Sequence, residues 1–329
     1  MSSFEAAKPT SVLITGSGGY LGRQVVANLA ADPGSLERIV AMDLRPEPEE
    51  SRLPGVTYLT ADVRDRSLPR IIEGEKPQVV VHLAALVTPG KKSDRRLEYE
   101  VDVMGTEHVL EGCVEAGAQK LIYSSSGAAY GYHADNPPWL SEDDALRGNK
   151  EFAYSDHKRQ VEEMLARWRH DYPELEQLIL RPGVILGEGT ANQITALFDK
   201  PLLLGVAGSE TPFTIIWDQD AVGVIRQGIF STATGIYNLS GDGAITMREI
   251  AGILGKTYLP LPAGLLRGAL WVLKRLGLTQ YGPEQVGFLQ YRPVLDNTRL
   301  KEVMGYIPAN TSREAFEHYL AWRDGRGQA

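Results

Sequence analysis

A chain of 329 residues, 43% hydrophobic and 23% charged, has the composition of a folded globular protein, long enough for one large α/β unit or two average domains. That composition excludes disordered, collagen-like and coiled-coil classes. The formal net charge of −8 argues against a protein that neutralises nucleic-acid phosphates or docks on anionic lipid, although a local basic patch could still hold one anion. Cys113 is the only cysteine, so no internal disulfide or cysteine-based zinc site is expected. Met1 to Pro9 carry no apolar leader and no stretch approaches the ~20 apolar residues of a membrane span, so a cytoplasmic protein is expected.

In chain order, short β-branched runs over residues 12–15, 38–43, 56–60, 79–83, 120–124 and 178–181 predict strands. Apolar residues at three- and four-residue spacing over 20–31, 94–116 and 154–171 predict helices between them. Pro33-Gly34 and Gly117 supply breakers at two helix ends. Nearly continuous apolar strands alternating with helices are the pattern of a doubly wound parallel sheet, the Rossmann fold of α/β proteins. Beyond residue 181, Gly187, Gly189, Pro201, Gly205, Gly208 and Pro212 break the rhythm and point to a smaller lobe. Strands are predicted over 213–217 and 236–239, and a helix over 246–254 with Thr246 as N-cap and Glu249 as its capping-box partner. The division that follows is a dinucleotide-binding domain over 1–182, with 213–240 returning to it. A discontinuous substrate lobe takes 183–212 and 241–329. Residues 262–278 form an amphipathic pattern with Arg267, Lys274 and Arg275, read as a packed helix with snorkelling basic ends in preference to a membrane-surface helix.

Thr15-Gly16-Ser17-Gly18-Gly19-Tyr20-Leu21-Gly22 follows the first strand and opens a helix. Glycines at 16, 19 and 22 permit a tight turn, close approach of backbone N–H groups to a pyrophosphate, and close helix–strand packing, although the spacing differs by one residue from the common G-x-G-x-x-G. Asp43 ends the second strand, where a carboxylate accepts hydrogen bonds from ribose hydroxyls and repels a 2′-phosphate, so NAD is expected over NADP; neighbouring Arg45 is the residue that would favour the phosphate. Asp62 and Val63 follow the third strand, and Leu83, Ala84 and Ala85 the fourth, at the carboxyl ends where such sheets bind ligands. His82 reads as a structural histidine.

Tyr154 and Lys158 stand four apart at the start of a helix, hence on one face. A neighbouring ammonium favours the phenolate and equips the tyrosine for proton transfer. This is the only Tyr-x-x-x-Lys in the chain, and it follows the strand that ends in Ser124-Ser125-Ser126, one of whose hydroxyls could hold a substrate oxygen. Turn or cap chemistry is the alternative role, expected of at least one of the three. The histidines show no metal-ligand spacing, so no metal is expected.

Taken together, Thr15–Gly22, Asp43, Asp62-Val63, Leu83–Ala85, Gly105-Thr106, Ser124–Ser126 with Tyr130-Gly131, Tyr154/Lys158, Arg181-Pro182 and Asp220 make the chain resemble the extended short-chain dehydrogenases/reductases, of the NAD-dependent epimerase/dehydratase and 3β-hydroxysteroid dehydrogenase type, over nearly its whole length. The resemblance implies Ser126 as the active-site hydroxyl, Tyr154 as acid/base, and Lys158 as ligand of the nicotinamide ribose that also lowers the tyrosine pKa. It implies cofactor contacts from Gly16, Gly19, Tyr20, Leu21, Gly22, Ser124, Pro182 and Val184 as well. Relatives commonly pair as homodimers through two helices, here matched by 94–116 and 154–171.

Three departures bear on the substrate. Asp102 stands where relatives usually carry Asn; Gly183-Val184-Ile185 follows Arg181-Pro182 where nucleotide-sugar enzymes usually place Asn; and no phosphate-gripping arginine appears around 210–213. With Trp217 and the apolar 259–278 region, these lean toward an apolar secondary alcohol or ketone. Arg226, Arg248 and Arg292 keep a nucleotide-sugar epimerase or dehydratase as the alternative. A non-catalytic dinucleotide-sensing protein is the third reading, against which the complete serine, tyrosine and lysine set argues.

Overall fold

The computed structural model describes residues 8–87, 94–210, 212–279 and 282–325; Met1 to Ala7, on which the leader reading rests, lie outside them. The first half of the chain runs β1 (Ser11–Thr15), α1 (Tyr20–Ala31), β2 (Arg38–Asp43), β3 (Val56–Thr60), α2 (Leu68–Glu75), β4 (Val79–His82), α3 (Arg95–Tyr99), α4 (Gly105–Ala116) and β5 (Lys120–Ser124). Next come α5 (Ala153–Asp171), β6 (Glu176–Pro182), β7 (Val184–Leu186), α6 (Gln193–Phe198), β8 (Leu202–Val206), β9 (Ile215–Trp217), α7 (Asp218–Phe230) and β10 (Gly235–Leu239). The chain finishes with α8 (Met247–Ile253), β11 (Thr257–Leu261), α9 (Ala263–Arg275), α10 (Gln285–Gln290), α11 (Thr298–Glu302) and α12 (Ser312–Gly325).

Seven strands form one parallel sheet in the order β10-β6-β5-β4-β1-β2-β3, with register such as Leu13 opposite Val40 and Val80. All four residues of β4 are buried, because helices cover both faces and no side of a central strand meets water. One core, from Val12 and Ile14 to Val224 and Ile225, lies under α1 and α7. The other, from Leu13 and Val80 to Val109 and Leu165, lies under α2, α4 and α5. Each fully buried Val, Leu or Ile contributes about 1.5–3 kcal/mol of transfer free energy, so these layers dominate the stabilisation. The order reverses about β1, and the crevice there opens at the carboxyl ends of β1, β4 and β5.

A third core gathers Leu186, Phe198, Leu203, Phe213, Ile245, Ile250 and Phe316 around two small parallel pairs, β7–β9 and β8–β11. β10 returns to the large sheet beside β6, and Thr246 caps α8 with Glu249 completing the capping box. Leu300 and Met304, late in the chain, pack on the large sheet's core and not on the small one.

Two sequence expectations are amended here. The helix expected over 94–116 runs from Arg95 to Ala116 but contains a π-turn at Glu100–Met104. Asp102 is drawn inward to accept the Leu86 N–H at 2.9 Å, while Gly105 lies so close to Val63 that a Cβ would sit 2.7 Å from its side chain. One extra residue in the turn reconciles both contacts. The other is the packed helix over 262–278: the helix is present as α9, but it has no buried residue at all.

Candidate active site

The glycine turn is set by steric contact. Gly16 has φ +71, and a Cβ there would sit 2.6 Å from the Ala84 nitrogen; at Gly22 it would sit 2.1 Å from the Gly16 carbonyl oxygen. Gly19 caps α1 with no side-chain hydrogen bond, and the first turn of that helix carries no acid, leaving its N–H groups and positive end directed at the crevice. A backbone cradle that two Cβ atoms would fill, at the start of a 12-residue helix, fits a pyrophosphate. Beside it the Asp43 carboxylate accepts the Gly18 N–H at 2.9 Å and the Arg45 N–H at 3.1 Å, with lone pairs left for hydroxyl donors. The Arg45 side chain is exposed. Asp62 lies one strand further along the same edge, its carboxylate held by Arg64 and its pKa lowered by that hydrogen bond. Val63 is buried and its carbonyl lies 2.9 Å from His108 Nδ1.

Across the crevice, Tyr154 and Lys158 project from the first turns of α5 toward the end of β5. Lys158 is buried, and its Nζ donates to the Tyr123 hydroxyl at 3.0 Å and the Ser124 carbonyl at 2.7 Å. Burial pulls its pKa down to about 8, against the opposing pull of Asp102 and Glu162. Burial also pushes the Tyr154 hydroxyl above its ordinary range; a hydrogen bond with Ser126 lowers it and the Asp102 charge raises it further. Ser126 Oγ accepts the Ala128 N–H at 3.1 Å, which caps a short turn and fixes the oxygen. The three serines thus divide: Ser124 offers its carbonyl, Ser126 its hydroxyl, and Ser125 is a structural residue bonded to Glu162. Glu162 is in turn paired with buried Arg181 at 2.6 Å, which also reaches Tyr130. His82 is buried between the Thr15 and Thr106 hydroxyls at 2.6 and 3.0 Å, and burial drops its pKa to about 3; it is a neutral tie between strand and helix.

The glycine turn and the Ser126, Tyr154 and Lys158 side chains border one cleft of about 580 Å³, within the ~300–1,000 Å³ of small-molecule sites. Gly16, Gly19, Tyr20, Leu21, Gly22, Leu83, Ala85, Ser124, Ser126, Tyr154, Lys158, Pro182 and Val184 line it. Ala84, Asp43, Arg45, Asp62 and Val63 do not. Ala84 packs under Gly16, and Asp43 touches the cradle through Gly18. The far end of the cleft is apolar and aromatic, with Tyr132, Phe152, Ile194, Phe213 and Leu295.

Residues 12–206 match the sequence profile of the NAD dependent epimerase/dehydratase family. The chain belongs to that family. A 3 beta-hydroxysteroid dehydrogenase/Delta 5→4-isomerase of vaccinia virus is 30% identical over 193 residues, spanning 56% of this chain and 54% of the viral protein. An uncharacterized protein of Mycobacterium tuberculosis is 26% identical over 319 residues, spanning 96% of this chain and 84% of that one. The UDP-glucose 4-epimerase of Thermotoga maritima shares the fold with a TM-score of 0.73 at 19% identity, covering 96% of this chain and 99% of the other.

Within this epimerase/dehydratase fold, several residues expected to shape the substrate end stand elsewhere. Trp217 packs edge-on against His318 in the small lobe, and residues 259–278 do not line the cleft, so neither makes the pocket apolar. Arg226 pairs with Asp32 and Arg248 with Glu210, both outside the cleft. Arg292 is in the cleft wall, 4.2 Å over the Phe213 ring, and no carboxylate among the described residues pairs with it. Gly183 is required locally, since a Cβ would meet the Thr214 carbonyl oxygen at 2.5 Å; an asparagine there would collide with β9's approach. Tyr132, Phe152 and Asn192 were invisible in the sequence because they come from irregular segments or helix caps that carry no periodic signal. Among the described residues no cluster of three or more His, Cys, Asp or Glu side chains could hold a metal ion.

Proposed function

We propose that this protein is an NAD-dependent oxidoreductase acting on a secondary alcohol or its ketone in an apolar substrate. The observation that carries the reading is the Tyr154 hydroxyl beside Ser126, with the Lys158 ammonium beneath, across one cleft from the glycine cradle. A bound nicotinamide dinucleotide would supply the hydride acceptor or donor. Gly16, Gly19 and the Tyr20-Leu21-Gly22 backbone hold its pyrophosphate, Asp43 its ribose hydroxyls with Arg45 alongside, and Asp62 and Val63 flank the same end. Leu83, Ala84, Ala85, Pro182 and Val184 wall the other. Ser126 holds the substrate oxygen, Tyr154 takes its proton in oxidation and returns it in reduction, and Lys158 reduces the cost of the phenolate while reaching the ribose. The large sheet serves as cofactor domain and the α6/α8/α12 layer as substrate lobe. Pairing of two copies through the α4 and α5 faces belongs to the same proposal, supported by the family resemblance.

The apolar, aromatic far wall supports a hydrophobic substrate. Arg292 favours the second reading, nucleotide-sugar epimerisation, because a cation without a carboxylate partner at the cleft suits a diphosphate. A panel of sterols, aliphatic and aromatic secondary alcohols, and UDP-sugars separates the two. Net NADH formation with apolar alcohols and none with UDP-sugars is expected; sugar interconversion without net NADH would replace the first reading by the second.

Asp102 supplies a pH test. Its charge raises both Tyr154 and Lys158, and Asp102→Asn keeps an oxygen for the Leu86 N–H while deleting that charge. Both groups then titrate at lower pH. The limb of the kcat profile that rises with Tyr154 deprotonation is expected to move toward lower pH, measured across a buffer series. An unmoved limb with unchanged thermal stability would reduce Asp102 to a residue that merely holds the turn.

A further inference from the structure

We propose that α9, together with the strand leading into it, is a docking surface that seats this protein on an anionic lipid bilayer. A helix in a soluble protein ordinarily buries one stripe; α9 buries nothing. Only Ala263, Leu266 and Leu270, at i, i+3 and i+7, are half-covered, which marks the side turned to the protein. At 3.6 residues per turn the side turned away carries Leu265, Val272 and Leu276, with Leu273 and Ala269 on its border. Leu265 is 59% exposed, Leu276 66%, Leu278 71% and Trp271 53%, far more apolar surface than isolated exposed side chains present. β11 enters α9 through Pro262, and in its pairing with β8 the neighbours Leu204 and Leu259 are exposed as well.

Charge decides the occupant. No Asp or Glu occurs between Glu249 and Glu284, whereas Lys256, Arg267, Lys274 and Arg275 do, in a chain whose net charge is −8. Trp271 and Arg275 stand toward one border of the apolar stripe, Arg275 lying 5.3 Å over the indole ring, so that an indole and a guanidinium sit together as interfacial anchors do. Arg267 and Lys274 lie on the opposite side of the helix, next to half-covered Ala263. Arg267 is held by Gln290 at 3.2 Å and Lys274 by Glu284 at 3.4 Å. Anionic headgroups would meet Arg275 and this acid-free basic segment with opposite charge while the acyl region takes the leucines. No described helix is long and apolar enough to cross a membrane, so α9 lies in the interface. This inference is independent of which alcohol the cleft accepts.

The test is sedimentation of the purified full chain with vesicles of phosphatidylglycerol and phosphatidylcholine in equal parts, against pure phosphatidylcholine, alongside the double variant Leu265→Glu/Leu276→Glu. Both leucines are exposed, so circular dichroism and thermal melting should match wild type. Wild type is expected to pellet with the anionic vesicles, about tenfold less with the neutral ones and less in high salt, and the double variant to stay in the supernatant. Three results would overturn the proposal: wild type remaining in the supernatant with anionic vesicles, pelleting unchanged in the double variant, or a wild-type dimer in light scattering that the double variant converts to monomer.

Discussion

Tyr154→Phe is expected to lower turnover by about 10²–10⁴-fold while dinucleotide affinity and melting temperature stay near wild type. The substitution removes one oxygen and keeps the ring. That ring's contacts are to Phe152, at 6.1 Å between centroids, and to the Lys158 ammonium, 5.9 Å away, and phenylalanine preserves both. Ser126 retains its own cap on Ala128. What disappears is the group that exchanges a proton with the substrate oxygen, so kcat should fall with little change in the KM for cofactor. Initial rates followed at the NADH absorbance, with a melting curve of the same sample, separate loss of chemistry from loss of fold. Ordinary turnover in this variant would remove Tyr154 from the mechanism. Lys158 is a poorer probe: it is buried and bonded to two oxygens of the scaffold, so its removal disturbs structure and chemistry together.

What could be read from the sequence was what short-range physics determines. The glycine turn is legible because its glycines at 16, 19 and 22 stand within seven residues directly after a strand, although the contact that excludes a Cβ at Gly16 comes from distant Ala84. β4 is legible because a strand covered on both faces is nearly continuous in apolar residues, here Val79 to Val81 before buried His82. Tyr154 and Lys158 are one helical turn apart by spacing alone. The capping box at Thr246 is equally local. The π-turn at Glu100–Met104 was not legible: the apolar period continues through it, and its causes, Leu86 and Val63, are tertiary contacts. The β8–β11 pair joins segments far apart in the chain, and neither strand declares its partner. Arg226, Arg248 and Arg292 are alike in sequence; only the fold hands carboxylates to the first two and a place in the cleft wall to the third. The amphipathic period of α9 was visible, but periodicity reports that a face is apolar and not what covers it.

Gly22→Ala is expected to weaken dinucleotide binding by about 10–100-fold. The new methyl would lie 2.1 Å from the Gly16 carbonyl oxygen and 2.8 Å from the Ser17 Cα. Both are backbone atoms, unable to rotate aside, so the turn itself must open and its N–H groups lose their common focus. At Gly74, in the last turn of α2, an added methyl would meet nothing within 4 Å, and Gly74→Ala is the control for the substitution as such. Titration of wild type, Gly22→Ala, Gly74→Ala and Tyr154→Phe with NADH, followed by the nucleotide's fluorescence, tests most directly whether the crevice holds a dinucleotide against Tyr154. Saturable binding in wild type, preserved in Gly74→Ala and Tyr154→Phe and weakened in Gly22→Ala, is the predicted pattern. No binding by wild type, or undiminished binding by Gly22→Ala, would contradict it.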